Sequence, residues 1–271
     1  MKLNDKVVII TGASSGIGKS LATEFAKRGA NLILAARQYV TLCEITEGLE
    51  KQYAIKAVAV QCDVTVEEDC EHVIKQALVT FGKIDVLVNN AGISMRALFK
   101  DTDLKVLRSV MDVNFWGTVY CTKYALPEIV KTEGSIVGVS SIAGYKGLPG
   151  RSGYSASKFA MNGFLDVLRL ENLKTGVHVL TACPGFTASN IRNTALDKNG
   201  AEQGESTLDE QKMMTSDEVA TIIADGVENR KRTIIMTGQG KRLVFLSKFL
   251  PGLLDKLVYN KFTKEKDALL K

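Results

Sequence analysis

The 271-residue chain has few cysteines and histidines, and their positions exclude two common kinds of structural site. Its five cysteines are scattered, and no two of them form a CxxC pair. Neither a disulfide framework nor a zinc site is therefore expected, and a reducing compartment is favoured. The two histidines, His72 and His178, form no HxxxH or HExxH motif. We therefore expect no metal ion and assign both histidines to structural roles.

The chain also lacks a long apolar run and a signal-peptide pattern. No uninterrupted apolar stretch approaches the ~20 residues needed to span a bilayer. The start, "MKLNDKVVIITG", runs from charged residues straight into a strand pattern. These absences predict a cytoplasmic protein.

The net charge of +5 belongs to the C-terminal part of the chain. Residues 241–271 contain eight Lys and Arg against three Asp and Glu, which accounts for the whole net charge. Residues 1–240 balance to zero, and this argues against a nucleic-acid-binding face there.

Short apolar, β-branched runs alternate with helix-length segments as far as about residue 240. "KVVIIT", "NLILAA" and "VHVLTACPG" are three of the seven runs that fit strands. Nearly continuous apolar strands are typical of a parallel sheet covered on both faces. The pattern predicts an α/β fold: a Rossmann-like, doubly wound, seven-stranded parallel sheet with helices on both faces. We predict one domain over residues 1–240, with a substrate lid at about 185–215, and a C-terminal extension over 241–271.

A glycine-rich turn follows the first predicted strand. In "TGASSGIG", Gly12, Gly16 and Gly18 stand directly before and at the start of a helix. Glycine permits a tight turn and close backbone approach, and a helix N-terminus attracts a pyrophosphate. The turn predicts dinucleotide binding, although its GxxxGxG spacing departs from the common GxGxxG. The residues assigned to this role are Gly12, Ser14, Ser15, Gly16, Ile17 and Gly18.

Together with "NNAG" at 89–92 and "YSASK" at 154–158, this turn resembles the short-chain dehydrogenase/reductase superfamily. Asn114 in "DVNFWG", Ser141 in "VSSIAG" and "PGFTAS" from Pro184 follow in the family's order, within about residues 5–240. The extension past the seventh strand is similar to the hydroxysteroid and lipid-ketone reductase branch. The resemblance implies an oxidoreductase that forms a homodimer or homotetramer through helices near 112–131 and 154–174.

Tyr154 and Lys158 are the centre of the predicted chemistry. They share a helix face, because residues four apart lie one turn apart. A free tyrosine titrates near pH ~10, and a neighbouring cation favours the phenolate. Tyr154 is therefore predicted to have a lowered pKa and to exchange a proton with a substrate oxygen. By resemblance, Lys158 binds the nicotinamide ribose, Ser141 bonds the substrate oxygen and Asn114 holds Lys158 through a water molecule. The small residues 155–157 are expected to face the cofactor and substrate.

The end of the second strand predicts NADP(H) rather than NAD(H). An NAD site favours an acidic residue here for the ribose 2′-hydroxyl, but "LILAAR" ends in Ala36 and Arg37. Arginine can hold a 2′-phosphate by charge-assisted hydrogen bonds. Related NADP(H) enzymes often add a basic residue in the glycine turn, where this chain has Ser15.

The resemblance assigns further cofactor contacts residue by residue. Asp63 and Val64 border the adenine in this assignment, and Asn90, Ala91 and Gly92 line the adjoining ribose. The segment containing Pro184, Gly185, Thr187 and Ser189 adjoins the nicotinamide, with Thr187 at its carboxamide.

The substrate is left open by the sequence. The 185–215 segment carries Phe186, Ile191, Leu196, Met213 and Met214, which suit either a hydrophobic substrate or ordinary packing. The extension interleaves apolar residues with lysines and is broken near Pro251–Gly252. This pattern fits packing on the body or on a dimer partner, or a membrane-surface or lipid-entry element.

We therefore expect a reductase of steroid-like or long-chain ketones. A 3-ketoacyl thioester reductase and a non-catalytic dinucleotide sensor or scaffold are the alternatives.

Overall fold

The computed structural model describes residues 1–188, 190–204, 213–264 and 268–270. Strands in this part of the chain are β1 (Val7–Thr11), β2 (Asn31–Ala36), β3 (Ala57–Gln61), β4 (Val86–Asn89), β5 (Ser135–Val139), β6 (His178–Cys183), β7 (Thr187–Ala188), β8 (Met214–Thr215) and β9 (Thr233–Ile235). Helices are α1 (Gly16–Lys27), α2 (Tyr39–Gln52), α3 (Glu67–Phe81), α4 (Leu104–Met111), α5 (Gly117–Lys131), α6 (Ser152–Glu171), α7 (Ser216–Glu228), α8 (Gly238–Phe249) and α9 (Pro251–Phe262).

Seven parallel strands form one sheet in the order β3, β2, β1, β4, β5, β6, β9. The central strands are buried on both faces of the sheet. Because successive side chains point to opposite sides, each strand contributes residues to two separate cores. In β1, Val8 and Ile10 pack on one face with α1, α2 and α7. Ile9 packs on the other face with α3, α5 and α6. The predicted doubly wound α/β sheet is therefore confirmed.

The chain reverses its direction across the sheet between β1 and β4. It first adds β2 and β3 on one side of β1, and then crosses to β4 on the other side. Loops that leave β1 and β4 diverge at this point, which opens a crevice at the carboxyl edge of the sheet. The polar motifs of the sequence all follow strands at this edge.

The predicted lid contains regular structure. Its first and last parts, β7 and β8, pair in parallel outside the main sheet. A 3₁₀ turn covers Asn190–Arg192. Met214 packs against the core under α1, α2 and α7. Ordinary packing therefore accounts for this methionine. Ser189 and residues 205–212 of the lid lie outside the described residues.

The C-terminal extension forms two helices with a sharp break between them. Leu250 leaves helical geometry at φ −136° and ψ 56°, and Pro251 opens α9. Proline suits the first turn of a helix because no hydrogen bond is required of its nitrogen there. Gly240 of α8 lies so close to Ile142 that a Cβ would approach it to 3.0 Å. Among the described helices, none is long and apolar enough to cross a membrane.

Candidate active site

A cavity of about 730 Å³ lies at the carboxyl edge of the sheet, lined by segments that follow β1 to β6. It brings together residues that are up to 190 positions apart in the chain, from Gly12 to Glu202. The predicted residues in its wall are Gly12, Ser14, Ser15, Gly16, Ile17, Gly18, Arg37, Asp63, Val64, Asn90, Ala91, Gly92, Ser141, Tyr154, Lys158, Pro184, Gly185 and Thr187. Asn114 is buried behind this wall, and Ser189 lies outside the described residues.

The glycine turn gives the cavity a helix N-terminus. Gly12 and Gly16 have φ values of +64° and +51°, which favour glycine. Ser15 precedes α1, and its side chain does not cap this helix within the described part of the chain. The first amide groups of a helix have no intrahelical acceptor, so they can bind an anion. Gly18 serves packing, since a Cβ there would lie 2.1 Å from the Gly12 carbonyl oxygen.

Asn90 and Thr11 fix this turn to the end of β4. The Asn90 Nδ2 atom donates to the carbonyl oxygens of Thr11 and Gly12, at 2.9 and 3.1 Å. The Thr11 hydroxyl accepts hydrogen bonds from the backbone amides of Asn90 and Ala91, at 3.0 and 3.1 Å. Sequence reasoning missed Thr11, although its place directly before Gly12 was the available signal.

The far end of the cavity is formed by the loops after β2 and β3. Arg37 follows β2 with an exposed side chain, and the next residue, Gln38, accepts a hydrogen bond from the Ser14 hydroxyl at 2.9 Å. Asp63 accepts from the backbone amide and the hydroxyl of Thr65, at 3.0 and 2.8 Å. This end of the cavity therefore presents a cationic side chain after β2 and an anchored carboxylate after β3.

Tyr154 and Lys158 reach the cavity from the first turns of α6. The intervening residues do not line the cavity with them, so the expectation for residues 155–157 was wrong. Ala156 is exposed, and the Ser155 hydroxyl accepts from the Leu148 amide at 3.3 Å. The Ser157 hydroxyl is buried, accepts a hydrogen bond from Asn114 and donates one to the Tyr154 carbonyl oxygen. Helical geometry explains Ser155 and Ala156, because residues one and two positions past Tyr154 point away from its face. Ser157 is instead held inward by its bonds to Asn114 and the Tyr154 carbonyl oxygen.

Asn114 lies in a π-helical turn, Asp112–Trp116, between α4 and α5. Its Oδ1 atom accepts from the Ile93 amide at 2.8 Å. Its Nδ2 atom donates to the Ile93 carbonyl oxygen at 3.0 Å and to Ser157 Oγ at 2.9 Å. π turns recur at functional sites in proteins. The water-mediated link from Asn114 to Lys158 stays a prediction.

Lys158 is buried, with only 3% of its surface exposed. Its Nζ atom donates to the Val139 carbonyl oxygen at 2.8 Å and lies 5.9 Å from the centroid of the Tyr154 ring. Burial disfavours the ammonium ion and lowers the pKa of Lys158 to about 8. The positive charge of Lys158 is therefore lost over the mildly alkaline range.

Burial raises the pKa of Tyr154, contrary to the lowering expected from Lys158. Three weaker influences lower this pKa: a hydrogen bond with the Ser141 hydroxyl and the charges of Arg151 and Arg192. The expectation was wrong because it treated the tyrosine as solvated and considered only its neighbour on the helix. Both arginines line the cavity, and sequence reasoning missed them. The position of Arg151, three residues before Tyr154, was the available signal.

His178 is built into the sheet, as its structural assignment predicts. Its ring nitrogens bond the Ser135 hydroxyl at 3.0 Å and the Lys231 carbonyl oxygen at 2.8 Å. Burial lowers the pKa of His178, which keeps the ring neutral. His72 is exposed on α3.

The model of a protein family described as short chain dehydrogenase matches residues 6–200. The chain belongs to this family. It is 37% identical over 254 residues to "11-beta-hydroxysteroid dehydrogenase-like 4A" of Arabidopsis thaliana, covering 93% of this chain and 83% of the relative. It is 36% identical over 272 residues to "Dehydrogenase/reductase SDR family member 7B" of Danio rerio, covering 97% of this chain and 87% of the relative.

Two solved structures share the fold of this short-chain dehydrogenase. A short-chain dehydrogenase/reductase of Burkholderia phymatum in complex with NAD has a TM-score of 0.82 at 23% identity, covering 93% of this chain and 96% of that one. An alcohol dehydrogenase of Thermococcus sibiricus complexed with 5-hydroxy-NADP has a TM-score of 0.77 at 24% identity, covering 86% and 96%. The fold thus accompanies either nicotinamide dinucleotide in these proteins.

Membership of the short-chain dehydrogenase family makes the chain an oxidoreductase that interconverts an alcohol and a carbonyl group. The alternative of a non-catalytic sensor or scaffold is therefore set aside.

Proposed function

We propose that the protein is an NADP(H)-dependent carbonyl reductase, or the matching alcohol dehydrogenase, for a hydrophobic substrate. The observation that carries this proposal is the convergence of Ser141, Tyr154 and Lys158 in one cavity with an uncapped helix N-terminus. The first three groups can bind and protonate an oxygen, and the helix end can bind a pyrophosphate.

The residues in the cavity wall fit a dinucleotide. The turn from Gly12 to Gly18 would hold the pyrophosphate, and Asp63 and Val64 would border the adenine. The Asn90–Gly92 segment would face a ribose, and the segment from Pro184 to Thr187 would adjoin the nicotinamide. A bound nicotinamide supplies the hydride donor or acceptor that the reaction needs.

Arg37 supports NADP(H) over NAD(H). Its exposed guanidinium lines the cavity directly after β2, the position where an acidic residue would bind a ribose 2′-hydroxyl. Arginine instead matches the geometry and charge of a phosphate. Gln38 and Ser14 beside it offer neutral hydrogen-bonding groups that do not repel this phosphate.

Tyr154 is the proposed proton donor and acceptor. In carbonyl reduction its phenol would give a proton to the new alkoxide, and in alcohol oxidation its phenolate would accept one. The Ser141 hydroxyl would bond the same substrate oxygen. The Ser141 backbone is extended and its Oγ accepts from the Ala143 amide at 3.2 Å, which fixes the hydroxyl oxygen.

The substrate end of the cavity supports an apolar ketone. Its lining includes Ile93, Val113, Leu148, Phe186, Ile191 and Leu196. Hydrophobic side chains with a few placed polar groups are typical of sites for small apolar ligands. The hydroxysteroid dehydrogenase names of several relatives agree with a steroid-like or long-chain keto compound.

The proposed partner of the protein is a second copy of itself, in a dimer or tetramer. Large apolar side chains are exposed on the π-helical turn before α5 and on α6, among them Trp116, Phe159 and Leu170. Phe115 of the π-helical turn and Phe164 of α6 make an edge-on ring contact at 6.3 Å. Sedimentation velocity at micromolar concentration tests this assembly, and a single monomeric species would contradict it.

The proposed location is the cytoplasm, with contact to a membrane surface through α8 and α9. Phe249 of α8 is 66% exposed, and Phe245, Leu250, Leu253 and Leu257 are also exposed. Six Lys and Arg residues accompany them between positions 241 and 264. Exposed apolar side chains among cations fit an anionic lipid surface.

The proposed function is tested by turnover with NADPH and NADH over a panel of ketones. The panel contains steroid, long-chain and 3-ketoacyl thioester substrates, so that it also covers the alternative activity. We expect NADPH-dependent reduction of an apolar ketone by the full chain and none by the Tyr154→Phe variant. Equal rates for these two proteins would contradict the proposal.

A further inference from the structure

Arg151 stands immediately before α6, three residues before Tyr154. Its carbonyl oxygen accepts the Ser155 amide at 2.8 Å, which places it in the first turn of this helix. Residues three apart share a helix face, and both Arg151 and Tyr154 line the cavity. Nothing in the family resemblance assigned a role to this arginine.

The guanidinium of Arg151 is held in a fixed place. Its Nη1 atom donates to Ser94 Oγ at 2.7 Å, and Ser94 is buried in the loop after β4. The same loop is joined to the start of α6 through the Ala97 amide, which donates to the Gly150 carbonyl oxygen at 2.9 Å. Because Arg151 is partly buried, its charge is screened less than that of a fully exposed side chain.

We propose that Arg151 is a positioning residue of the reaction, a fixed positive charge that favours the phenolate of Tyr154 and sets the pH range of proton exchange. This inference rests on the acid/base role proposed for Tyr154. The sequence suggested that the charge of Lys158 favours the Tyr154 phenolate, and the inference assigns this effect to Arg151.

The charged and titratable groups around Tyr154 make Arg151 the suitable residue. Burial raises the pKa of Tyr154, and the hydrogen bond with Ser141, then the charge of Arg151 and last that of Arg192 oppose this rise. Arg151 is thus the larger of the two opposing charges. Cys183 on β6 acts in the opposite direction, but burial raises the pKa of its own thiol to about 12 and keeps it neutral. Lys158 has a pKa of about 8 and loses its charge as the pH rises.

Arginine keeps its charge throughout the range in which proteins are stable. Two acidic residues, Asp112 and Glu202, also line the cavity. A permanent cation beside Tyr154 therefore counters burial at every pH at which the enzyme operates.

The test is the pH dependence of kcat/KM for alcohol oxidation by the wild type and by Arg151→Gln and Arg151→Lys variants. Oxidation needs the phenolate, so the rate rises as the pH passes the pKa of Tyr154. Removing the charge raises this pKa. In Arg151→Gln the rise of kcat/KM should therefore occur about one unit higher in pH than in the wild type. Arg151→Lys keeps a cation, and the midpoint of its pH profile should move by no more than about a third of that shift.

Direct titration of Tyr154 provides a readout that does not depend on activity. The ultraviolet difference spectrum of tyrosinate is recorded for each variant, with and without an added Tyr154→Phe change, so that one residue is followed. The apparent pKa of Tyr154 should rise in Arg151→Gln. A Ser94→Ala variant removes the anchor and keeps the charge, and it should move the midpoint less than Arg151→Gln.

Three outcomes would overturn the inference. The first is an unchanged midpoint in Arg151→Gln with reduced activity, which would leave Arg151 a purely structural role. The second is an equal shift in Arg151→Gln and Arg151→Lys. The third is failure of both Arg151→Gln and Arg151→Met to fold, because the charge would then serve the fold. An active Tyr154→Phe variant would instead refute the proposed function itself.

Discussion

The side-chain amide of Asn114 donates a hydrogen bond of 2.9 Å to the hydroxyl of Ser157, and both side chains are fully buried. The Ser157 hydroxyl passes the connection on by donating to the Tyr154 carbonyl oxygen at 2.8 Å. The π-helical turn is thereby fastened to the turn of α6 that carries Tyr154. This bond holds two of the predicted catalytic residues in register.

Replacing Ser157 by alanine should destabilise the protein and reduce turnover. The variant leaves a buried N–H of Asn114 without its acceptor, which costs about 1–3 kcal/mol. Urea denaturation measures the free energy of unfolding, and kcat reports the placement of Tyr154. Ala156→Ser changes the exposed neighbour and serves as the control. Equal stability of the two variants would show that the bond contributes nothing.

Replacing Tyr154 by phenylalanine should abolish turnover and preserve NADPH binding. The phenyl ring keeps the shape of the side chain but cannot donate a proton. General acid/base catalysis contributes about 10²–10⁴-fold, so the remaining rate should be below about a hundredth of wild type. NADPH fluorescence titration provides the binding measurement. A variant that keeps a larger rate would remove Tyr154 from the proposed role.

Replacing Arg37 by aspartate should shift the preference from NADPH toward NADH. The change exchanges a cation that can bind a 2′-phosphate for a carboxylate that repels it. The ratio of kcat/KM for the two cofactors should fall by at least about tenfold. Arg232→Asp makes the same charge change at an exposed position before β9 and should leave the ratio as it was. If both variants behave alike, Arg37 does not meet the phosphate.

Replacing Lys158 by methionine should stabilise the fold while removing activity. Burial lowers the pKa of Lys158 from 10.5 to about 8. Below about pH 8 the buried side chain is protonated, and the burial of this charge makes the folded state less stable. Between about pH 8 and 10.5 the unfolded chain binds more protons, and wild-type stability therefore rises with pH. The advantage of the variant, up to about 3 kcal/mol at pH 7, should shrink over this interval. Urea melts at several pH values measure it, and a constant difference would contradict the prediction.

Replacing Phe245, Phe249 and Leu253 together by serine should weaken binding to anionic vesicles and leave NADPH binding intact. These side chains are exposed, whereas Val244 and Leu254 anchor the same helices and remain. Wild-type binding should also weaken with salt, because lysines contribute ~1 kcal/mol each near an anionic surface. Vesicle flotation decides the matter. If wild type and variant float equally, these side chains do not bind lipid, and α8 and α9 instead pack on the body of the protein.

The apolar periodicity was sufficient to predict the sheet, and the glycine spacing to predict the turn after β1. The other predicted cavity residues came from the family resemblance or from the residue types of single motifs. Helix α3 has local signals at both ends, because acidic residues open it and Gly82 closes it with φ +71°. The glycine turn was also predictable from the sequence, because its geometry depends on the local backbone freedom of glycine. Both features are encoded within about fifteen residues of chain.

Properties that depend on distant burial were not predictable. The pKa of Tyr154 responds to its burial, to Ser141 and to the charge of Arg192, none of which is visible in "YSASK". The inward turn of Ser157 requires Asn114, 43 positions away. The bonds of Arg151 to Ser94 and of Thr11 to Asn90 were likewise not predictable, because these partners are remote in sequence.

The π-helical turn at Asp112–Trp116 makes this part of the chain intolerant of single-residue deletions. Each helical residue turns the chain by about 100°, so removing one would rotate everything on one side of the gap. Either Asn114 would turn away from Ser157, or Gly117 would leave Val64, where a Cβ has only 2.8 Å of clearance. Substitution at the exposed Trp116 changes neither contact. In a library of in-frame deletions, the 112–116 segment should therefore lose activity even where neighbouring surface substitutions retain it.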